Sequence, residues 1–488
     1  MKRLWLLLIV AAAARLLLQC AGMAPYAGLD EVYHVARFAF VAQEGRNPRM
    51  DEKSIPPYIA RSIAAQPGFA PAWPARTDDL VDRRLTPDDQ RPYTAKNYEA
   101  QHPSFYYSLV SRFIPRTTQL EELRALRLLS VFFALIVVLA TAFIGVRIAG
   151  AYGILAAAVL VAMPTWETVV IRASNDAFAG AALAVAFAIS FAEPKTKGGW
   201  IAEAVVWAIA FAAKLTTWPA SVAIFALWFV QRAPWKRRLL VMSAAAVAVA
   251  ITIADLMIRT RNPLGHEMFD PTHRVIAQTP IRWLEIIKIT IASFAWTSGP
   301  HWNALRPLAI ALYLGPIVVI ALIGLVRAKQ RALIVVCVVA AIAFAIAQLI
   351  NVFAFARFSG GGLPGGGKEG WYWYNLAPLW FGVLVPLVLG HAPRALAIAA
   401  VAWLVGWDVL ITEGALFQDY AGITSAAHGD AFFRWGGRVW PFTYGLGHIA
   451  VGPLTGIATA LRVIHVAATA GIAGLGSHLE NELPGYRM

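Results

Sequence analysis

Charge is scarce in this chain. Asp, Glu, Lys and Arg make up only 14% of its 488 residues, against roughly 25% in a soluble globular domain. Too few polar side chains are present to cover a water-soluble surface, so an ordinary soluble fold is excluded. Cysteine is scarcer still. Cys20 and Cys337 are the only two, and both lie inside apolar runs, which excludes a disulfide-stapled framework. Acidic residues are outnumbered, 28 against 42 basic ones. Such a surplus raises the question of nucleic acid. Here the basic residues gather in short loops between apolar runs, the distribution that marks cytoplasmic loops of membrane proteins, so no nucleic-acid partner is expected. A long-period internal repeat is also missing, which excludes a solenoid.

What the chain has in abundance is apolar sequence, 59% of all residues, in runs long enough to cross about 30 Å of hydrocarbon. The runs predict an all-α polytopic membrane protein, one domain over 1–488, with spans near 4–22, 125–148, 153–171, 176–192, 200–213, 215–230, 239–258, 307–326, 332–355, 373–390, 395–412 and 445–472. Lys2 and Arg3 precede the first run and Arg15 interrupts it. It is read as a retained helix rather than a cleaved signal peptide. With that helix starting inside, the short inner loops carry Arg147, Lys195, Lys197, Arg232, Lys236, Arg237, Arg238, Arg327, Lys329, Arg331 and Arg394, with Glu193 their only acid, as the positive-inside rule requires. The large polar segments then fall outside: 24–122, 259–306, 356–372 and 413–444. The second holds an amphipathic stretch, Ile281 to Phe294, suited to the membrane surface. The fourth holds an aromatic cluster, Phe432, Phe433, Trp435, Trp440 and Phe442, suited to the interface.

Most conspicuous polar groups sit at the outer ends of spans, whereas a transporter usually places ionisable residues in mid-span. Four short motifs carry the chemistry. Gly28-Leu29-Asp30-Glu31-Val32-Tyr33-His34 follows the first span and opens a predicted helix over Glu31 to Gln43, on which Val32, Val35, Ala36, Ala39 and Phe40 form an apolar stripe. Asp30 and His34 are one turn apart at helical spacing; an N-cap is the plainer role for Asp30. Tyr98-Glu99-Ala100-Gln101-His102-Pro103-Ser104-Phe105-Tyr106-Tyr107 comes late in the same outer segment, with Pro103 placed to start a helix. Tyr106 and Tyr107 read equally as interfacial anchors. Arg172-Ala173-Ser174-Asn175-Asp176 forms a short outer turn, where Asp176 reads equally as a cap. Lys214 ends a span, where a snorkelling lysine is the plainer reading.

In their order and common side, these motifs resemble the GT-C superfamily of membrane glycosyltransferases. The pattern is most similar to protein O-mannosyltransferases and their bacterial relatives that glycosylate lipids or glycans. Asp30-Glu31 matches the Asp-Glu pair of the first outer loop. His102-Pro103 matches its His-Pro-Pro segment, with Ser104 in place of the second proline. Asn175-Asp176 and Lys214 match features of bacterial relatives. The resemblance covers roughly residues 1–260. It implies a GT-C-like bundle in the inner (plasma) membrane, with the active site on the periplasmic or extracellular side. It also implies a polyprenyl-phosphate sugar as donor and a glycan, lipid or protein as acceptor. Asp30, with Glu31 second, is then the expected catalytic carboxylate, which takes the acceptor's proton. Donor and substrate contacts are expected from His34, Tyr98, His102, Tyr106, Asn175, Asp176, Lys214, Arg259, Arg261 and Lys368, with Arg357 a further cation for the leaving phosphate. Some GT-C enzymes use a divalent metal. No multi-ligand metal motif stands in this sequence, so no cofactor is assigned and a metal stays open.

The run Gly360 to Gly367 contains G-x-G-x-x-G, but no βαβ unit surrounds it, and a dinucleotide site is rejected. It reads as an irregular loop, either a plain linker or a cover over the donor beside Lys368. Two other functions compete: a transporter or flippase of lipid-linked sugars, and a non-catalytic assembly subunit on the same scaffold. The missing inverted repeat and the sparse mid-span charge count against the transporter.

Overall fold

The computed structural model describes residues 1–22, 26, 30–64, 84–115, 117–262, 280–295, 307–359, 367–421 and 451–479. Most of this is helix. α1 (Lys2–Gly22) leads to α2 (Glu31–Glu44), then to a two-stranded antiparallel ribbon of β1 (Lys53–Ile55) and β2 (Ala95–Lys96), with α3 (Pro57–Ala64) between the strands. After a 3-10 turn over Tyr98–Gln101 and α4 (Phe105–Val110), the chain enters the bundle with α5 (Gln119–Ala149). α6 (Ala151–Val161), α7 (Pro164–Ile171), α8 (Asp176–Ala192), α9 (Lys197–Ala213), α10 (Ala220–Val230) and α11 (Trp235–Thr260) follow. The rest comprises α12 (Trp283–Ala295), α13 (Pro307–Arg327), α14 (Arg331–Ser359), an irregular span over Gly370–His391, α15 (Arg394–Ala421) and α16 (Val451–Leu479).

Among the described residues six helices are long and apolar enough to cross a membrane, or seven if one bent pair counts as a span. The chain is therefore a multi-pass membrane protein. The predicted count of twelve would require the shorter apolar helices, including Asp176–Ala192 and Leu215–Gln231, to cross as well. The predicted run 153–171 is not one straight span. It breaks into α6 and α7, which meet at 71°. Pro164 is the cause: it lacks the N–H that would continue α6 and sits where it can open a new helix. The boundary between the predicted spans 200–213 and 215–230 is also a break. Lys214 is extended, one 3-10 turn follows, and the hydroxyl of Thr217 donates to Ala210 O at 2.8 Å while Trp218 Nε1 donates to Phe211 O at 2.9 Å. These side chains satisfy carbonyls that the ended helix leaves open. Where α5 turns into α6 the backbones touch: a Cβ on Gly153 would lie 2.0 Å from Gly145 C.

The polar segment after α1 folds onto one end of the bundle. α2 runs one residue beyond its expected end and stops at Gly45, whose φ of 67° is the left-handed conformation that ends helices. Its expected stripe is buried, and it packs with Tyr58, Ile59, Tyr107, Leu123 and Leu126. α12 covers most of the amphipathic stretch expected at Ile281 to Phe294, and its Thr290 and Ser293 hydroxyls hold the 368–370 backbone. The aromatic cluster 432–442 and most of the glycine run lie outside the described residues.

Candidate active site

Asp30 stands at the N-cap position of α2, yet it does not cap. Its backbone is left-handed, φ 57° and ψ 5°, and its side chain makes no cap hydrogen bond. That conformation is uncommon outside glycine, though Asp and Asn tolerate it better than most residues. It turns the carboxylate away from the helix and toward the Tyr98 hydroxyl, which donates to Oδ1. The expected pairing of Asp30 with His34 does not form, because Asp30 precedes the helix and helical spacing does not govern it. Asp30 is open to solvent at the rim of the site, while protein crowds its carboxylate. Desolvation raises its pKa above the ordinary value and the Glu99 charge raises it further, with Arg172 opposing.

Glu31 has a different environment. It is fully buried, and Arg127 Nε and Nη2 donate to its two oxygens at 2.9 and 2.6 Å. The Ala173 N–H adds a third bond at 2.8 Å. Glu31 thus ties the start of α2 to α5 and to the 172–176 turn. With these contacts it has no face left for a substrate.

His34 Nδ1 lies 2.6 Å from the Tyr107 hydroxyl and 3.1 Å from Glu99 Oε2. His102 Nε2 reaches the same Glu99 oxygen at 3.0 Å. Glu99 is held there by its 3-10 turn, which Asn97 caps by accepting from the Glu99 N–H at 2.9 Å. Burial drives His34 down to about 3 despite the carboxylate beside it, so it is neutral at ordinary pH. Burial alone would raise Glu99, but the groups around it, His102 first, bring it down to about 2. Glu99 is therefore a fixed negative charge close to Asp30.

Asp176 lies at the start of α8, and Asn175 occupies the cap position. Its carboxylate accepts from Arg172 Nη2, from Lys214 Nζ and, at 3.0 Å, from the Ser174 hydroxyl. The snorkelling reading of Lys214 fails here, since its side chain is only 6% exposed. Asn175 donates to Ala213 O at 3.2 Å, which ties the turn to the end of α9. Arg172 is also within electrostatic reach of Asp30 and Glu99, so its charge serves more than the Asp176 pair. Tyr372 sits within electrostatic reach of Asp30, Arg172 and Asp176 on one side and Glu369 on the other.

Other expected contacts have other partners. Arg259 donates to Asp255 at 2.7 and 2.8 Å, to His102 O at 2.8 Å and to Ala100 O. It clamps the His102 segment to α11, and Asp255 accepts the Ser104 N–H at 3.1 Å. Pro103 does not start the helix; Ser104 stands at the cap position, without a side-chain cap bond, and Phe105 begins it. Tyr106 is buried in an aromatic core, its ring stacked 4.8 Å from Phe178. Arg261 is exposed at the end of α11, and Lys368 Nζ is 3.3 Å from Glu369 Oε1. The side chain of Arg357 is outside the described set. Among the described residues no group of three or more His, Cys, Asp or Glu is arranged to hold a metal ion.

The sequence reading named none of Glu99, Arg172, Arg127 or Tyr372 as a site residue. Two of them carried a local signal: Glu99 is three residues before His102, and Arg172 four before Asp176. The reading also placed most of the notable polar groups at the outer ends of spans. The structure corrects this, because Arg15, Glu167, Asp408 and His465 meet inside the bundle, all buried.

No family model and no curated protein matches the chain. Among solved structures it is similar to ArnT from Cupriavidus metallidurans bound to undecaprenyl phosphate. That alignment has a TM-score of 0.48 and 15% identity, over 98% of this chain and 75% of that one. The apo state of the same protein aligns over the same shares, with a TM-score of 0.45 and 16% identity.

Proposed function

We propose that this chain is a GT-C-type glycosyltransferase. It moves a sugar from a polyprenyl-phosphate donor to a glycan, lipid or protein acceptor, and the Asp30 end of the bundle faces the outside of the plasma membrane. The observation that carries this reading is Asp30 itself. It is an exposed rim residue, released from capping, raised in pKa, and set within electrostatic reach of Arg172. In the transfer an acceptor hydroxyl attacks the anomeric carbon, the carbon–oxygen bond to the lipid phosphate breaks, and the hydroxyl proton passes to Asp30. The polyprenyl phosphate leaves with the bonding electron pair. Arg172 and Lys214 are the cations closest to hand for its developing charge. Arg261, exposed at the end of α11, and Lys368, buried beside Glu369, are further candidates for the same task. Tyr98 orients Asp30, the Glu99 charge, held in place by His102 and His34, tunes it, and Glu31 positions the segment from behind. Asn175 and Asp176 hold Arg172 and Lys214 in place, Arg259 fixes the His102 loop, and Tyr106 packs beneath it.

The test is transfer in membranes, read by mass spectrometry of envelope glycans and lipids with and without the gene. A modification that disappears with the gene, and does not return with Asp30→Asn, supports the reading. One that returns at near wild-type level with Asp30→Asn removes Asp30 from the chemistry. A lipid-linked-sugar flippase is the second reading, favoured by the α6–α7 break together with the ionisable residues buried near it, since transporters build sites from discontinuous helices. Purified protein in vesicles separates the two: a flippase relocates the donor intact, whereas a transferase consumes it.

A further inference from the structure

Away from the site, a cavity of about 290 Å3 lies between α9, α10 and α11. Three tryptophans line it, and each directs its N–H elsewhere. Trp207 Nε1 donates to the Ser190 hydroxyl at 3.1 Å, Trp228 Nε1 to Glu203 Oε1 at 3.4 Å and Trp218 Nε1 to Phe211 O at 2.9 Å. Ring surface is what remains to face the cavity, and Ser221 supplies the one hydroxyl of the lining. On α11 the lining includes Ala245 and Ala246, which are too small to fill the space. Met242 and Ala246 are exposed, so the cavity is a groove that opens through the uncovered face of α11. α11 is long and apolar enough to cross a membrane, where that face meets hydrocarbon. A polar ligand would lose its hydrogen bonds in such a groove, whereas hydrocarbon has none to lose.

Charge stands at one end of this groove. Arg238, Met242, Ala246 and Val249 follow one another on α11 at intervals of four, four and three, which puts them on one face of the helix. Arg238 is one turn, about 6 Å, from Met242. Its Nε donates to Ala233 O at 2.8 Å, and its guanidinium lies 5.3 Å from the Phe229 ring centroid. Arg232 and Lys236 are exposed in the same segment, as is Trp235, a residue type favoured at headgroup depth. Gln231 Nε2 donates to Ser190 O at 3.1 Å and so joins this segment to the end of α8. The acids of that neighbourhood are already taken: Arg237 holds Glu203 at 2.7 Å, and Lys195 holds Glu193 at 3.0 Å. Arg232, Lys236 and Arg238 have no ion pair among the described residues. The other end of the groove offers no such charge, because Lys214, four residues before Trp218, is closed onto Asp176.

We propose that this groove binds one anionic glycerophospholipid of the surrounding bilayer, with an acyl chain between α9, α10 and α11 and the phosphate on Arg232, Lys236 and Arg238. The two halves of such a lipid match the two halves of the site. Its chain fills a space lined by indole rings and alanines. Its phosphate gives the three cations the counter-charge that the protein does not supply, and each cation near an anionic headgroup contributes about fivefold in affinity. A zwitterionic lipid brings the same chain but no net charge. The site is separate from Asp30 and does not depend on the glycosyltransferase reading.

The test is native mass spectrometry of the full chain in detergent, titrated with phosphatidylglycerol and with phosphatidylcholine of the same acyl chains. Wild type should hold one phosphatidylglycerol in preference to phosphatidylcholine. Arg238→Gln should reduce that preference about fivefold. The triple change Arg232→Gln, Lys236→Gln and Arg238→Gln should abolish it, whereas Arg232→Lys with Arg238→Lys should keep it. Ala246→Phe fills the groove from its exposed side and should remove the bound lipid with all three cations intact. Phosphatidylglycerol brominated on its acyl chains locates the tail. It should quench a saturable part of the wild-type tryptophan fluorescence, and that part should be missing in Ala246→Phe. Equal retention of the two lipids by wild type overturns the site. So does retention unchanged in Ala246→Phe, the mark of non-specific surrounding lipid. Displacement of phosphatidylglycerol by undecaprenyl phosphate, with an affinity unaffected by the triple change, assigns the groove to a polyprenyl chain and also overturns it.

Discussion

Two polar clusters in this protein, each built around a carboxylate, are held to opposite ends. One centres on Glu203 of α9. It is fully buried, and every oxygen has a donor: Arg237 Nε and Nη2 at 2.7 and 3.0 Å, the Ser190 hydroxyl at 2.7 Å and Trp228 Nε1 at 3.4 Å. The other centres on Asp30, a residue exposed at the rim whose carboxylate is bound by Tyr98. Glu203 is a finished network, a means of joining α8, α9, α10 and α11. Asp30 is an unfinished one, with room for a substrate atom. Burial and charge alone do not tell these apart; the count of satisfied lone pairs does.

The comparison is broken most directly at its open end. Asp30→Asn should lower transfer by about 10²–10⁴-fold, the usual contribution of a general base, with an unchanged unfolding midpoint. Asn suits both the left-handed backbone and a cap, so a purely structural Asp30 predicts no loss. At the closed end, Glu203→Gln strands Arg237 in the interior and should cost about 3–5 kcal/mol of stability. Transfer per folded molecule should stay at the wild-type level, and a selective loss of turnover would erase the contrast drawn here.

A subtler test uses pH. The acidic limb of transfer should lie above the ordinary aspartate range, because desolvation and Glu99 favour the protonated acid. Tyr98→Phe removes a hydrogen bond that favours the carboxylate form, so the limb should move to still higher pH. A limb that stays in place would separate Tyr98 from the titrating group. The smallest effect belongs to neither cluster. Gly45→Ala forces a β-carbon into a left-handed helix end with open space around it, and should cost roughly 1–2 kcal/mol. It gives the scale of a purely structural change in the same outer segment, with transfer as the control readout.

The helices were legible because apolar length and the stripe of Val32, Val35 and Ala36 are local properties. So was the neighbourhood of the site, since Asp30, His102, Asp176 and Lys214 flank apolar runs. Roles within it were not. The Asp-Glu pair reads as two equivalent acids, and only Arg127, 96 residues away, makes Glu31 a closed ion pair. Asp30 misleads a periodic argument because its left-handed backbone lies outside any period. Arg15 was visible as an interruption, but its bond to Asp408 spans 393 positions, and no local pattern encodes such a partner.

The break at Pro164 has a mechanical side. α7 is eight residues long, a stub that has left the direction of α6. Glu167 stands on it, and Arg172 closes its far end, about 7.5 Å further along at the usual rise of a helix. The stub is thus a short lever with one arm in the dry interior and the other under the carboxylate of Asp176. A displacement of α7 at Glu167 is delivered to Arg172 without passing through any loop.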